Sequence, residues 1–452
     1  MHKPSGTSTA PGFGWRDGWR YGLMGFPLAF VALPLYVVLP NHYARTFGVP
    51  LATLGAVLLA ARLLDAVIDP LLGRWSDALF ARSTQAVLRW AAVACVLLGV
   101  GFALLFFPPV QGVDALVSWA TACLMMTYIA YSALSITHQS WGAMLGGDEA
   151  LRSRVVAWRE GLGLVGVIFA SIVPAALGLH AQAALFLIAL AVGWWAWGTA
   201  RKPLSTAKVQ ADKGLTGKTA NQHVGAALAE TSATFSAGRP SSLWLPFTRP
   251  GFRALMAVFM VNGIASAVPA TLILFFVQDR LLAPTGSEPL FLGSYFLSAA
   301  LAIPLWLRLV QRIGLARTWL AGMVLSIAVF LSASQLGAGD VTAFVVVCAL
   351  SGVALGTDLA LPSALLAGTI ATHGDQGRAE GAYFGWWNFA AKLNLALAAG
   401  LALPALGWLG YAPGARDPQA LQTLTAAYCL LPCALKALAA VLLTTLLLRK
   451  TP

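Results

Sequence analysis

The chain has 452 residues, 58% of them hydrophobic and only 10% charged, with a mean hydropathy of +0.75 and a formal net charge of +12. Soluble domains carry about 25% charged residues, so these proportions exclude a water-soluble enzyme and a disordered chain and leave a polytopic all-α membrane protein. The five cysteines (Cys95, Cys123, Cys348, Cys429 and Cys433) lie almost wholly inside apolar stretches, which excludes a disulfide scaffold and reads as reduced, core-facing thiols.

A membrane-crossing helix needs about 20 mostly apolar residues. Twelve stretches qualify, running roughly from Tyr21 to Leu39, Leu51 to Leu72, Leu88 to Phe107, Leu116 to Ser135, Val155 to Leu177, Ala181 to Trp197, Phe252 to Phe276, Phe291 to Leu309, Thr318 to Leu336, Val341 to Ile370, Tyr383 to Leu406 and Leu421 to Leu448. They predict a tail over 1–20, a six-helix bundle over 21–198, a linker over 199–250, a second six-helix bundle over 251–448 and a short tail over 449–452. The linker is rich in Ser, Thr, Ala, Gly and Lys (Lys202, Lys208, Lys213, Lys218) and reads as a solvated tether. The polar first twenty residues and the full-length first span argue against a cleaved signal peptide. Trp15, Trp19 and Trp75 sit near span ends, where indoles anchor at the headgroup level.

The basic residues orient the chain. With a cytoplasmic N-terminus, the inner loops hold Lys3, Arg16, Arg20, Arg74, Arg82, Arg89, Arg152, Arg154, the linker lysines, Arg308, Arg312, Arg317, Arg378, Arg449 and Lys450, and the outer loops hold only Arg45, Arg280 and Arg416. That asymmetry accounts for the positive charge without a nucleic-acid partner and predicts both termini inside the plasma (inner) membrane. Twelve helices in two halves around a cytoplasmic loop is the plan of a major facilitator transporter, with solute bound between the halves near mid-membrane. Neither a catalytic residue nor a metal or cofactor site is expected. The expected partners are a small-molecule solute, a co-transported H⁺ or Na⁺ and the bilayer, with the protein as a monomer.

An ionisable group in hydrocarbon costs roughly 2.5 to 3.5 kcal/mol and marks function by default. The candidates are Arg62, Asp65 and Asp69 in span two, Arg159 and Glu160 in span five, Asp358 in span ten, Lys392 in span eleven and Lys436 in span twelve. Asp65 and Asp69 are four residues apart and share a helix face, with Arg62 one turn back. Two carboxylates in a dry site cannot both stay ionised cheaply; one takes a proton, holds a cation or leans on Arg62. A bracing Arg62–Asp65 pair is the structural alternative. Asp358 and Lys392 lie at similar depth and are expected to approach each other or share a water-filled cavity, forming a charge network with Arg62. Arg159 either enters the site or snorkels, and no partner for Lys436 is evident. Tyr128, Tyr131, Ser132, Ser135, His138 and Gln139 on span four, with Trp386, Trp387 and Asn388 before Lys392, suggest an aromatic pocket with a few hydrogen-bonding groups, or ordinary core packing.

The run Ala-Arg62-Leu-Leu-Asp65-Ala-Val-Ile-Asp69-Pro-Leu-Leu-Gly73 resembles the span-two signature of the glycoside–pentoside–hexuronide:cation symporters, the melibiose-permease-like branch of the major facilitators. Tyr21-Gly22, Val261-Asn262-Gly263 through Pro269-Ala-Thr271, Asp358 through Pro362, and Glu380-Gly-Ala-Tyr383-Phe-Gly with Lys392 look similar to the same family. Gly73-Arg74-Trp75-Ser76-Asp77 with Arg82 resembles the major facilitator loop between spans two and three, whose usual role is a structural and gating contact between helices; a solvated basic loop is the alternative.

The resemblance implies alternating-access symport with Na⁺, Li⁺ or H⁺, with Asp65 and Asp69 binding the ion, Arg159 near the sugar and Lys392 linked to both. Ala29 and Tyr128 stand where the glycoside transporters carry sugar-binding acids, which points away from galactosides. Ile68 and Met125 replace two neutral cation-binding side chains of the Na⁺-using permease, with Thr127 a substitute only in a shifted register. This favours H⁺ over Na⁺ and leaves the solute class open between a sugar or glycoside and an amphipathic, lipid-like molecule. A membrane-embedded Mg²⁺-dependent prenyl or phosphatidyl transferase is the rival from another class, but it would want three or four acids near the interface.

Overall fold

The structure is a computed structural model and describes residues 13–203, 242–284 and 286–449; Lys3, Lys208, Lys213, Lys218, Lys450 and most of the predicted linker lie outside these. Among the described residues all long regular elements are helices. In chain order they are α1 (Trp15–Gly22), α2 (Gly25–Phe30), α3 (Leu39–Phe47), α4 (Leu51–Arg82), α5 (Thr84–Phe106), α6 (Val113–Met144), α7 (Glu149–Gly198), α8 (Leu245–Thr248), α9 (Pro250–Phe275), α10 (Glu288–Ile313), α11 (Leu315–Ala333), α12 (Val341–Thr372), α13 (Glu380–Trp408), α14 (Pro418–Thr425) and α15 (Leu431–Leu443). Among these residues nine helical segments are long and apolar enough to cross a membrane. The predicted first span falls on α1 to α3 and a π-helical turn at Pro34–Val38, the second on α4 and the eleventh on α13.

Local chemistry explains the boundaries. Ser83 caps α5 through the Ala86 N–H at 3.0 Å, and Asp148 caps α7 through the Leu151 N–H at 2.8 Å. Spans five and six form one helical run bent at Gly178, whose φ of 82° is a conformation that a side chain would strain. Pro70, Pro174, Pro269, Pro304, Pro362 and Pro404 all lie inside helices, as bilayer-spanning bundles tolerate where neighbours re-satisfy the backbone.

Apolar packing is continuous across the two halves of the chain. Ile136, Ala143 and Val156 are buried in one cluster with Phe252, Leu361 and Phe384. Ala157 and Leu164 of α7 pack with Ala299 and Ile303 of α10. This seam carries the polar site.

Candidate functional site: an ammonium shared between the halves

Helices α4 and α13 run side by side. Asp65, Asp69, Gly73 and Asp77 recur every four residues and so lie along one face of α4. A side chain on Gly73 would collide with the Gly381 carbonyl, and one on Gly385 with the Asp69 carbonyl. The two glycines are what let the backbones approach. At the face predicted to be cytoplasmic, Asp77 accepts the N–H groups of Gly381 at 2.6 Å and Ala382 at 2.9 Å. The loop motif thus makes a contact between halves, as its resemblance implied.

At mid-helix, the close approach delivers Lys392 to the acids. Its Nζ lies 2.6 Å from Asp65 Oδ2, 2.8 Å from Asp69 Oδ2, 2.8 Å from Asp69 Oδ1 and 2.7 Å from Ser132 Oγ. The Ser132 hydroxyl on α6 donates a hydrogen bond to Asp65 Oδ1 at 2.7 Å. Asp65 is 2% exposed and Asp69 fully buried. Two carboxylates from the first half of the chain and one ammonium from the second therefore share a water-poor site. Keeping two carboxylates buried beside one ammonium is expensive, and a proton or cation taken up there would lower that cost. Arg62 lies one turn before Asp65, half-buried.

The expected meeting of Asp358 with Lys392 is not found. The cation partner of Asp358 is Lys436, at 2.7 Å from its Oδ2. The Asp358 carboxylate also accepts from Ser266 at 3.1 Å, Asn262 at 3.0 Å and Trp319 Nε1 at 2.8 Å, and Lys436 donates back to Asn262 Oδ1 at 3.0 Å. The physical reason is reach: α9, α11, α12 and α15 close around Asp358 within the second half, whereas Lys392 faces the first. Lys436, which had no evident partner in the sequence, is what makes the burial of Asp358 affordable.

The solute-side candidates are divided. Arg159 pairs with its neighbour Glu160, its Nε donating to Oε1 at 3.0 Å. Asn388 Oδ1 accepts from Gln139 Nε2 across the halves at 3.3 Å, and Gln139 also donates to Ser135 at 2.8 Å. Trp387 stacks on Phe259 of α9, with ring centroids 3.7 Å apart, and is buried there. Tyr128 is buried on α6, one turn before Ser132, and Tyr131 is half-buried beside it. Tyr21, Gln139, Arg159, Ser363 and Phe384 line a cleft between the halves with room for about one water molecule. Sequence reasoning passed over Gln139 and Ser132 as single site residues. Their only signal was a place on the polar face of span four.

The family described as MFS/sugar transport protein matches residues 20–450. The chain belongs to that family. Its all-α major facilitator fold follows, and it is a multi-pass membrane protein of a transporter family. Among curated relatives, the putative glycoside/cation symporter YagG of Escherichia coli (strain K12) is 26% identical over 153 residues, which is about a third of each chain (33% and 33%). The uncharacterized symporter YjmB of Bacillus subtilis (strain 168) is 23% identical over 453 residues, covering 94% of this chain and 90% of that one. Among solved structures, a bacterial homologue of the iron transporter ferroportin in an outward-facing state superposes with a TM-score of 0.65 at 16% identity, covering 95% of this chain and 98% of that one. At that identity the likeness is one of fold, not of cargo.

Proposed function

We propose that this family member is a proton-coupled symporter that moves a small organic solute of the sugar or glycoside class by alternating access between two six-helix bundles in the plasma (inner) membrane. The observation that carries the reading is the shared ammonium: Asp65 and Asp69 from one half hold Lys392 from the other at 2.6 to 2.8 Å. A proton or cation taken up by these carboxylates loosens their hold on Lys392, so ion occupancy acts on the contact that rocking must rearrange. A proton suits the donor set. Ile68 and Met125 supply no oxygen, and Ser132 is the neutral side chain that touches the ammonium, whereas a metal cation would want several more oxygens.

The bias of Arg and Lys puts the two termini and the Asp77 contact on the cytoplasmic side. Hydrogen bonds and ion pairs join the halves from Lys392 down to that side, which is the closure expected of an outward-facing carrier. The solute class is taken from the glycoside/cation symporter name of YagG. Arg159, Asn388, Tyr128, Tyr131, Trp387 and Lys392 are the side chains assigned to it, with Gln139 added.

Uptake into vesicles tests the reading directly. Sugars, glucuronides, organic acids and lysolipids are offered under an imposed proton or sodium gradient. Uphill accumulation of a sugar or glycoside under the proton gradient is expected. Accumulation driven by sodium alone would overturn the choice of ion, and accumulation of lysolipids alone the choice of solute.

A further inference from the structure

Two helices of the second half begin at the predicted cytoplasmic face without a capping side chain of their own. α11 starts after Gly314 and α13 after Ala379, and neither residue makes a side-chain cap. A helix leaves its first N–H groups without internal partners, so each start needs an acceptor. Both receive one from the other half. Asp77 serves α13, as described above, and Glu149 Oε2 accepts the Leu315 N–H at 2.9 Å.

Glu149 is the first residue of α7, where its charge acts on Arg152, but the N-cap of that helix is the preceding Asp148, through Leu151. The Glu149 carboxylate is not needed for that cap and reaches across. Its target is shaped to receive it: Gly314 has φ +82°, and a Cβ there would stand 3.1 Å from Glu149 Oε2. A side chain at that position would both strain the backbone and crowd the carboxylate away. Glu149 itself is exposed, so its contribution is a directed hydrogen bond reinforced by the positive end of the helix rather than a buried charge.

We propose that Glu149 is a gating residue: it caps α11 from the opposite half only while the cytoplasmic face is closed, and so biases the carrier toward the outward-facing state. The proposal rests on the alternating-access reading. When the halves part at this face, α11 loses an acceptor that Gly314, without a side chain, cannot replace, while α7 keeps Asp148. Opening therefore carries the loss of one helix cap, and removing Glu149 removes that loss by abolishing the cap in both states.

The test uses the full chain with its five cysteines replaced by serine or alanine and an Ala367→Cys reporter, since Ala367 lines the cleft between the halves. Labelling by a membrane-impermeant maleimide is timed from the cytoplasmic face of inverted vesicles, without solute. Glu149→Ala is expected to speed labelling about five-fold, the factor that one helix cap is worth. Glu149→Gln, which keeps an acceptor oxygen but no charge, should fall between the two. High salt should narrow the gap between wild type and Glu149→Gln, because the charge is at the surface. Gly314→Ala should reproduce the effect with Glu149 intact, and Asp148→Ala should not. Unchanged labelling in both Glu149→Ala and Gly314→Ala, or equal acceleration by Asp148→Ala, would overturn the proposal. Failure of the transport reading would look different, as absence of gradient-driven uptake in wild-type vesicles whatever the labelling rates.

Discussion

Two of the charge clusters buried among the described residues have similar composition and different design. Asp358 and Lys436 form a neutral pair whose carboxylate is filled by four donors, all from helices of the second half. Asp65 and Asp69 share one ammonium, that of Lys392, and it comes from the opposite half. A saturated pair within one bundle keeps its partners when the bundles rock; an unsaturated cluster between bundles cannot. Burial of charge alone therefore does not mark a coupling site. The coupling role proposed for Asp65 and Asp69 rests on their sharing a cation across the halves, where alternating access must rearrange contacts.

The sharpest way to break this contrast is to neutralise each cluster in turn. Asp65→Asn or Asp69→Asn should abolish gradient-driven accumulation while membrane insertion, read by surface labelling, stays intact. Full uphill uptake by the double variant would remove the interhalf cluster from coupling. Asp358→Asn should instead strand the Lys436 ammonium and destabilise the fold by about 3 to 5 kcal/mol, seen as a lower melting temperature in detergent. The accumulation ratio per folded molecule should remain. If Asp358→Asn melts normally but no longer accumulates solute, the two clusters have been assigned the wrong way round.

A smaller effect is expected from Ser132, which holds Lys392 and Asp65 together. Ser132→Ala should slow uptake by about ten-fold, the order expected for a hydrogen bond to charged groups, and Ser132→Thr should restore it. The smallest effect concerns the closed face. Glu380 at the start of α13 is fully buried, with Oε1 accepting from the Gly377 N–H at 2.6 Å, and burial pushes its carboxyl up to about 7. An acid with a raised pKa lends most stability below its ordinary range near 4.5 and loses it as pH rises through about 7. Thermal stability should thus decline over that interval, and Glu380→Gln should flatten the decline.

How much was legible depends on distance along the chain. Asp65 and Asp69 are four residues apart, so helical geometry alone placed them together, and Gly73 and Asp77 continue the same face. Spacing made Lys392 legible only as a buried cation, because 323 residues separate it from Asp69, and the family resemblance alone linked it to the ion site. Depth in the membrane suggested Asp358 for it, and depth is a weak guide: residues at one level can face different neighbours. Lys436 was unreadable for the same reason, its carboxylate lying 78 residues away. The stack of Trp387 on Phe259 of α9 is likewise a contact that no local pattern encodes.

Composition and hydropathy by themselves determined that this is an all-α membrane protein, where its apolar stretches run and which side chains are too costly to bury without purpose, because those properties depend on transfer energies and on spacing within single helices. Only the tertiary structure decided which charges neutralise one another and which carboxylates cap helices of the opposite half. Those pairings depend on close approach of helices distant in sequence, here made by Gly73 and Gly385, and no transfer energy or helical period records it.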